Sequence, residues 1–226
     1  FRLILGGLVK KVLVADYLAT HLVNGLFDAP DRYSSWETLV GIYAYAAQIY
    51  CDFSGYTDIA IGVALLLGFV LPENFAAPYA ARSVREFWRR WHKTLSGWLR
   101  DYLYIPLGGN RHGPRRTARN LMVTMLLGGL WHGAGWTYVV WGGLHGGAMA
   151  LEHGRADRRR RLGLPEPRQT AGATLRRRVV TFHFVALAWV VFRADSLAAA
   201  GAVLARLVTG VGSSGAAVTP AVLAVT

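Results

Sequence analysis

The stretch NLMVTMLLGGLWHGAGWTYVVWGGLHG, residues 120–146, decides how this chain folds. It is apolar or small almost throughout, and its ionisable groups are His132 and His145. About 20 apolar residues cross a bilayer as one helix. The apolar run at 121–150 is longer than that, and Gly128-Gly129 and Gly133/Gly135 interrupt it. It reads as two short helices that enter and leave on one side, with a single long tilted span as the competing reading. Arg111, Arg115, Arg116 and Arg119 precede the run, and Arg155 and Arg158–Arg161 follow it. The tendency of cytoplasmic loops to carry arginine and lysine puts both flanks on one side and favours the pair. An ionisable group inside such a run is costly and marks a functional site by default.

The composition points the same way. Of 226 residues, 53% are hydrophobic and 17% charged, so a membrane protein is favoured over a soluble domain. The net charge of +12 would suggest nucleic acid in a soluble protein. Here the arginines lie between apolar blocks, as in loops facing anionic lipid, and nucleic-acid binding is set aside. The lone Cys51 excludes an internal disulfide and any multi-cysteine metal site.

Working outward, residues 3–26 read as a helix interrupted by Lys10-Lys11, whose ammonium groups can snorkel to an interface. Residues 36–50 and the following CDFSGYTDIAIGVALLLGFVLP together exceed one crossing. A break is expected at the polar patch Asp52, Ser54, Gly55, Thr57 and Asp58, and Pro72 is expected to end the run. Between 72 and 120, Arg82, Arg85, Arg89, Arg90 and Lys93 alternate with Phe87, Trp88, Trp91 and Trp98. That pattern predicts amphipathic helices at the interface. The glycines of IPLGGNRHGPRR match no phosphate-binding loop. Residues 154–178 read as a basic, polar loop. VVTFHFVALAWVVF forms the next apolar segment and reaches Arg193, while AAAGAVLARLV and AVTPAVLAVT are weaker helical candidates. The fold class is all-α, a polytopic transmembrane helical bundle with interfacial and re-entrant helices. Both ends look cut, so residues 1–226 are expected to be part of one larger membrane domain.

Two imidazoles stand out. His132 lies between Trp131 and Gly133, with Trp136 and Trp141 nearby. Glycine permits close approach of a substrate, aromatic rings can shape a tunnel, and a neutral imidazole can abstract a proton. The alternative is a packing histidine bonded to a backbone carbonyl. His92, in REFWRRWHKTLSGWLRDYLYIPLGG, faces the same chamber from the cytoplasmic side or sits among headgroups. His145 lines the bundle interior or packs within it. No histidine pair has HxxxH or HExxH spacing, so no metal site is expected unless His92, His132 and His145 converge in space. Asp52, Asp58 and Asp101 need partners in apolar surroundings, and the arginines of 82–100 are the expected supply. For Asp101 an ion pair with Arg100, Arg89 or another local basic group is the simpler reading.

The ordered blocks KKVLVADYLA, CDFSGYTDIAIGVALLLGF, FWRRWHKTLSGWLRDYLYIPLGGNR, RNLMVTMLLGGLWHGAGWTYVVWGGLHG and FHFVALAWVVFRA carry a resemblance. The chain resembles the membrane-bound O-acyltransferase (MBOAT) family, in the bacterial branch that includes the alginate O-acetyltransferase membrane protein and the D-alanyl transfer protein of teichoic acid synthesis. The resemblance implies an MBOAT-like core with its early transmembrane helices missing from this sequence. It implies a multi-pass protein of the bacterial cytoplasmic membrane, with His132 as catalytic histidine and His92 as its partner. His132 would serve as general base, and His92 would orient substrate or polarise the acyl carbonyl. Arg85, Arg89, Trp91, Asp101, Trp131 and His145 are the candidates for holding substrate or donor. No bound cofactor is implied. Acetyl-CoA is a common proposal for the donor, and SGNH-type periplasmic acetyltransferases and polysaccharide machinery are the implied partners. The reaction implied is acetyl transfer toward an extracytoplasmic polysaccharide hydroxyl. D-alanyl transfer to teichoic acid, a histidine-lined transporter and a scaffold subunit of an export complex are the alternatives.

Overall fold

A computed structural model of the chain describes residues 1–165 and 169–212, and every regular element among them is helical. The chain forms two compact units. One comprises Phe1–Pro72 with the chain from Trp189 onward, and the other comprises Glu73–Ala188.

In the first unit the chain is helical from Arg2 to Asp28. α1 (Arg2–Leu8) widens into a π-helix at Val9–Ala15, α2 (Asp16–Leu18) is one turn, a second π-helix covers Ala19–Val23, and α3 (Asn24–Asp28) closes the run. The lysine pair therefore widens the helix without interrupting it. α4 (Ser35–Leu66) starts at a capping box in which Ser34 Oγ accepts from Glu37 N and Glu37 Oε2 accepts from Ser34 N at 2.7 Å.

The break expected within residues 36–72 does not occur. α4 is one helix of 32 residues, and among the described residues it is the one long and apolar enough to cross a membrane. The helix runs through the polar patch, whose two aspartates find partners on the first helical run. Lys10 Nζ donates to Asp58 Oδ2 at 2.6 Å, Lys11 pairs with Asp52, and Thr57 Oγ1 donates to the Ser54 carbonyl at 3.0 Å. The two aspartates thus take lysines of the first helical run, in place of the expected arginines, and the lysines pair where snorkelling was expected. Gly55 brings α4 against α1, since a Cβ there would stand 2.7 Å from the Gly7 carbonyl oxygen. Nor does Pro72 end the helix. Gly68, at φ +83°, reverses the chain as the Phe69 N–H bonds the Ala64 carbonyl at 2.9 Å and the Gly68 N–H bonds that of Leu65 at 3.2 Å. The candidate AAAGAVLARLV lies within a helix, Leu197–Thr209, and AVTPAVLAVT lies outside the described residues.

The second unit holds α5 (Val84–Trp88), α6 (Lys93–Leu99) with a π-helical turn at Arg100–Tyr104, α7 (Pro114–His132) and α8 (Trp136–Arg161). α9 (Ala171–Arg193) follows, and α10 (Leu197–Thr209), in the first unit, is capped by Ser196 Oγ on Ala199 N at 3.0 Å. The apolar run at 121–150 is the helix pair α7/α8, broken at Gly133–Gly135, and the single tilted span is excluded. The two helices run antiparallel in backbone contact. A Cβ on Gly129 would lie 2.2 Å from the Tyr138 carbonyl oxygen, and one on Gly142 would lie 2.3 Å from that of Met125. The expected loop at 154–178 is mostly helix, because α8 continues to Arg161 and α9 begins at Ala171. Asp157 bonds Arg161 one turn on at 2.7 Å, and the four terminal arginines complement the negative end of the helix.

Gly142→Ala must push α8 away from α7, and is expected to destabilise the full-length protein in detergent by about 1–3 kcal/mol. Gly201→Ala, with nothing within 4 Å of the added carbon on α10, should be neutral or stabilising by up to about 1 kcal/mol. Thermal unfolding of the two variants side by side checks both.

Candidate active site

The site is assembled on α5, α7 and α8. Ser83 Oγ caps α5 by accepting from Glu86 N at 3.0 Å. Glu152 on α8 uses both carboxylate oxygens on the same helix end, accepting from Val84 N at 2.7 Å and Arg85 N at 3.2 Å. This anchors α5 on α8, and the Trp88 indole N–H donates to His145 Nδ1 at 3.2 Å. With Nδ1 accepting, the ring proton of His145 sits on Nε2. His145 is fully buried among the rings of Phe87, Trp88, Trp141 and Phe184.

Trp141 connects this buried layer to His132. It is 1% exposed, meets His145 at 5.0 Å and Trp88 at 5.6 Å between ring centroids, and meets the His132 ring at 5.4 Å and 87°. His132 is half-buried and is the last residue of α7. The residue after it must be small, since a Cβ on Gly133 would lie 2.8 Å from the Tyr138 ring.

His92 immediately precedes α6 and is also half-buried. Trp131, 62% exposed, packs beside both imidazoles at 4.9 Å from His132 and 6.4 Å from His92. Burial holds the His92 pKa down at about 4, and the neighbouring His132 pushes it the same way. Two histidines distant in sequence therefore stand together at two helix ends, with one indole against both.

The remaining candidates separate by position. Arg85 and Arg89 line both of two adjacent cavities, of about 790 and 520 Å³. Trp91 is buried in an aromatic cluster, stacked on Phe87 at 5.6 Å with Phe75 edge-on at 5.0 Å. Asp101 is exposed and accepts a two-pronged bond from Arg100 at 2.7 and 2.9 Å. Among the described residues, no three His, Cys, Asp or Glu side chains are grouped to hold a metal ion.

The sequence reading missed part of the larger cavity. Arg155 and Arg159, one turn apart on α8, and Arg177 on α9 line it with Arg82, Arg85, Arg89 and Arg90. The i, i+4 spacing of Arg155 and Arg159 was the available signal, once that segment is read as helix. The hydrogen bond from Trp88 to His145 had no signal in the sequence.

The sequence profile of the membrane-bound O-acyltransferase family matches residues 2–189. The chain belongs to this family. It is 49% identical over 191 residues to the probable alginate O-acetylase AlgI of Pseudomonas putida, covering 84% of this chain and 37% of that protein. It is 44% identical over 202 residues to the peptidoglycan O-acetyltransferase of Helicobacter pylori, covering 89% and 37%. The teichoic acid D-alanyltransferase of Bacillus subtilis is 31% identical over 194 residues, covering 82% and 48%. The chain thus spans 37% to 48% of the length of these relatives.

Of the two carboxylates that line the larger cavity, Glu86 carries the arginine pairs. Glu86 is mostly buried, which pushes its pKa up, yet bonds from the Arg82 backbone N–H, the Arg82 side chain and Arg90 outweigh that and hold it down at about 2. A carboxylate with its folded pKa depressed contributes stability above the ordinary carboxylate range and loses it as pH falls toward 2. The full-length protein should lose stability as pH falls below about 4.5, and Glu86→Gln should flatten that acid limb while lowering stability at neutral pH. Thermal unfolding in detergent between neutral and acid pH measures the difference.

Proposed function

We propose that the full-length protein is a multi-pass O-acyltransferase of the bacterial cytoplasmic membrane. It moves an acetyl group from a cytoplasmic donor toward a hydroxyl of an extracytoplasmic polysaccharide, as in alginate-like exopolysaccharide modification. The supporting observation is the meeting of His132 and His92 beside Trp131, at the ends of α7 and α6, in a chain of this family. The relatives named for O-acetyl transfer, at 44–49% identity, support acetyl over D-alanyl as the group moved.

In the proposed step His132 takes the proton of the acceptor hydroxyl as its oxygen attacks the acyl carbonyl carbon. His92 orients the acyl group or polarises its carbonyl oxygen. With a thioester donor, acetyl-CoA in the simplest case, the new C–O bond forms and the C–S bond breaks. The sulfur leaves as thiolate and recovers a proton from the imidazolium of His132. Arg85 and Arg89 attract the phosphates of such a donor, as guanidinium groups do well. Trp88, Met125 and Met149 of the smaller cavity offer an apolar path for its arm. The acceptor is the polymer itself or a carrier that SGNH-type acetyltransferases and the polysaccharide machinery discharge outside the membrane.

His132→Ala in the full-length protein is expected to lower acetyl-ester content of the cell-surface polysaccharide by about 100-fold or more, the scale of general-base catalysis, with normal accumulation in the membrane. Ester content by hydroxamate assay and immunoblotting of membranes measure the two. Unchanged acetylation in that variant would sink the proposal, and alanyl esters on the wild-type polymer would redirect it to D-alanyl transfer.

A further inference from the structure

His92 sits in an unusual backbone conformation. Its φ of +43° and ψ of +58° lie in the left-handed region, where a Cβ crowds the following carbonyl. Such a residue persists only where its surroundings over-determine it. His92 also occupies the N-cap of α6, a position that ordinarily supplies a side-chain acceptor to the first turn, and its side chain makes no capping bond.

The capping is done from elsewhere in the chain. Asn74 Oδ1 accepts from Thr94 N at 3.1 Å and from Thr94 Oγ1 at 2.7 Å. The Asn74 carbonyl accepts from Lys93 N at 3.0 Å. One residue therefore satisfies the first two backbone N–H groups of α6. The same short segment also holds the chain on the other side of His92. Ala76 N donates to the Arg90 carbonyl at 3.0 Å, and Arg90 Nη1 donates to the Ala76 carbonyl at 3.1 Å. His92 is thus a left-handed pivot between two anchored points, and Asn74 supplies the anchor on the helix side.

We infer that Asn74 is a positioning residue for the transfer reaction: by capping α6 in place of His92 it fixes the left-handed turn that presents the His92 imidazole to His132. This rests on the proposed role of His92. Loss of the anchor lets the turn relax toward ordinary backbone, and the ring swings out of register with the reacting group. Misplacement of a reacting group by about an ångström costs on the order of 100-fold in rate. An aspartate at 74 keeps the acceptor oxygen and should keep the turn.

The test uses the full-length protein in its host, with the initial rate of acetyl-ester appearance on surface polysaccharide normalised to protein in the membrane. Asn74→Ala is expected to slow the reaction by roughly 10- to 100-fold, and Asn74→Asp to restore it to within a few-fold of wild type. Combined with His92→Ala, Asn74→Ala should add no further loss, because its effect passes through His92. A wild-type rate in Asn74→Ala, or an Asn74→Asp variant as slow as Asn74→Ala, overturns the inference. So does a loss in the double variant that multiplies the two single losses. If His92→Ala leaves no measurable rate, the comparison of alanine with aspartate at 74 decides. If Asn74→Ala does not accumulate, Asn74→Leu, which fills a similar volume without the acceptor oxygen, takes its place. A loss that vanishes on His92→Ala supports the inference, and a wild-type rate or an additive loss overturns it. A wild-type rate in His92→Ala alone removes the reading of His92, a failure seen before Asn74 is altered.

Discussion

Backbone contact between α7 and α8 is the constraint on which the second unit depends. At Gly129 and Gly142 no side chain separates the helices, and a methyl group at either would overlap a carbonyl oxygen of the partner. Van der Waals packing of small residues is how helices associate where water supplies no hydrophobic drive. The close approach also allows the turn at Gly133–Gly135 to be very short, which puts His132 directly at the end of α7. Trp141, next to Gly142, is then buried against His132 on one side and His145 on the other. A wider hairpin would open the space that these rings fill.

The first unit solves a different problem, that of charge inside an apolar helix pair. Asp52 and Asp58 lie on α4, the one helix among the described residues long and apolar enough to cross a membrane, and each meets a lysine of the first helical run. Both pairs are only part-buried, with side chains 25% to 45% exposed. The π-helical turn at Val9–Ala15 contains both lysines. Gly7 and Gly55 bring the two backbones together beside it, so small residues and paired charges act within the same stretch.

What could be read from the sequence was what local chemistry decides. Gly133 and Gly135 interrupt a run too long for one crossing and flanked by arginines at both ends, and the hairpin follows. His132 at that break, and Arg85 and Arg89 among tryptophans, stand out by residue type alone. The errors came where distant partners decide. The polar patch of α4 looked like a break because its lysines lie 41 and 48 residues away. The arginine-rich 154–178 looked like loop because charge was weighed above the helix propensity of arginine and the i, i+4 pairing of Asp157 with Arg161. For His145, glycine neighbours could equally signal a lining residue. Only the packing of Phe87, Trp88, Trp141 and Phe184 shows how completely it is enclosed.

The charge distribution in the second unit gives the two groups of candidate residues different work under the proposed reaction. Glu86 is committed to Arg82 and Arg90, and Glu152 to the N-terminus of α5. Among the described residues, no carboxylate lies within 4.0 Å of the guanidinium nitrogens of Arg85, Arg89, Arg155 or Arg177, and these cations face the larger cavity together. His92 and His132 line neither cavity; Trp88, in the wall of the smaller one, meets Trp141 in ring contact, and Trp141 meets His132. Interactions with remote, unreacting parts of a substrate hold ground state and transition state alike, whereas groups at the reacting bond act on the transition state. Arginines that grip a phosphate-bearing donor therefore govern its capture, and the imidazoles govern its turnover. Under the proposed reaction, placing them on different helices would let the cationic surface recruit a charged donor apart from the aromatic layer around His132, where the acyl bond would be exchanged.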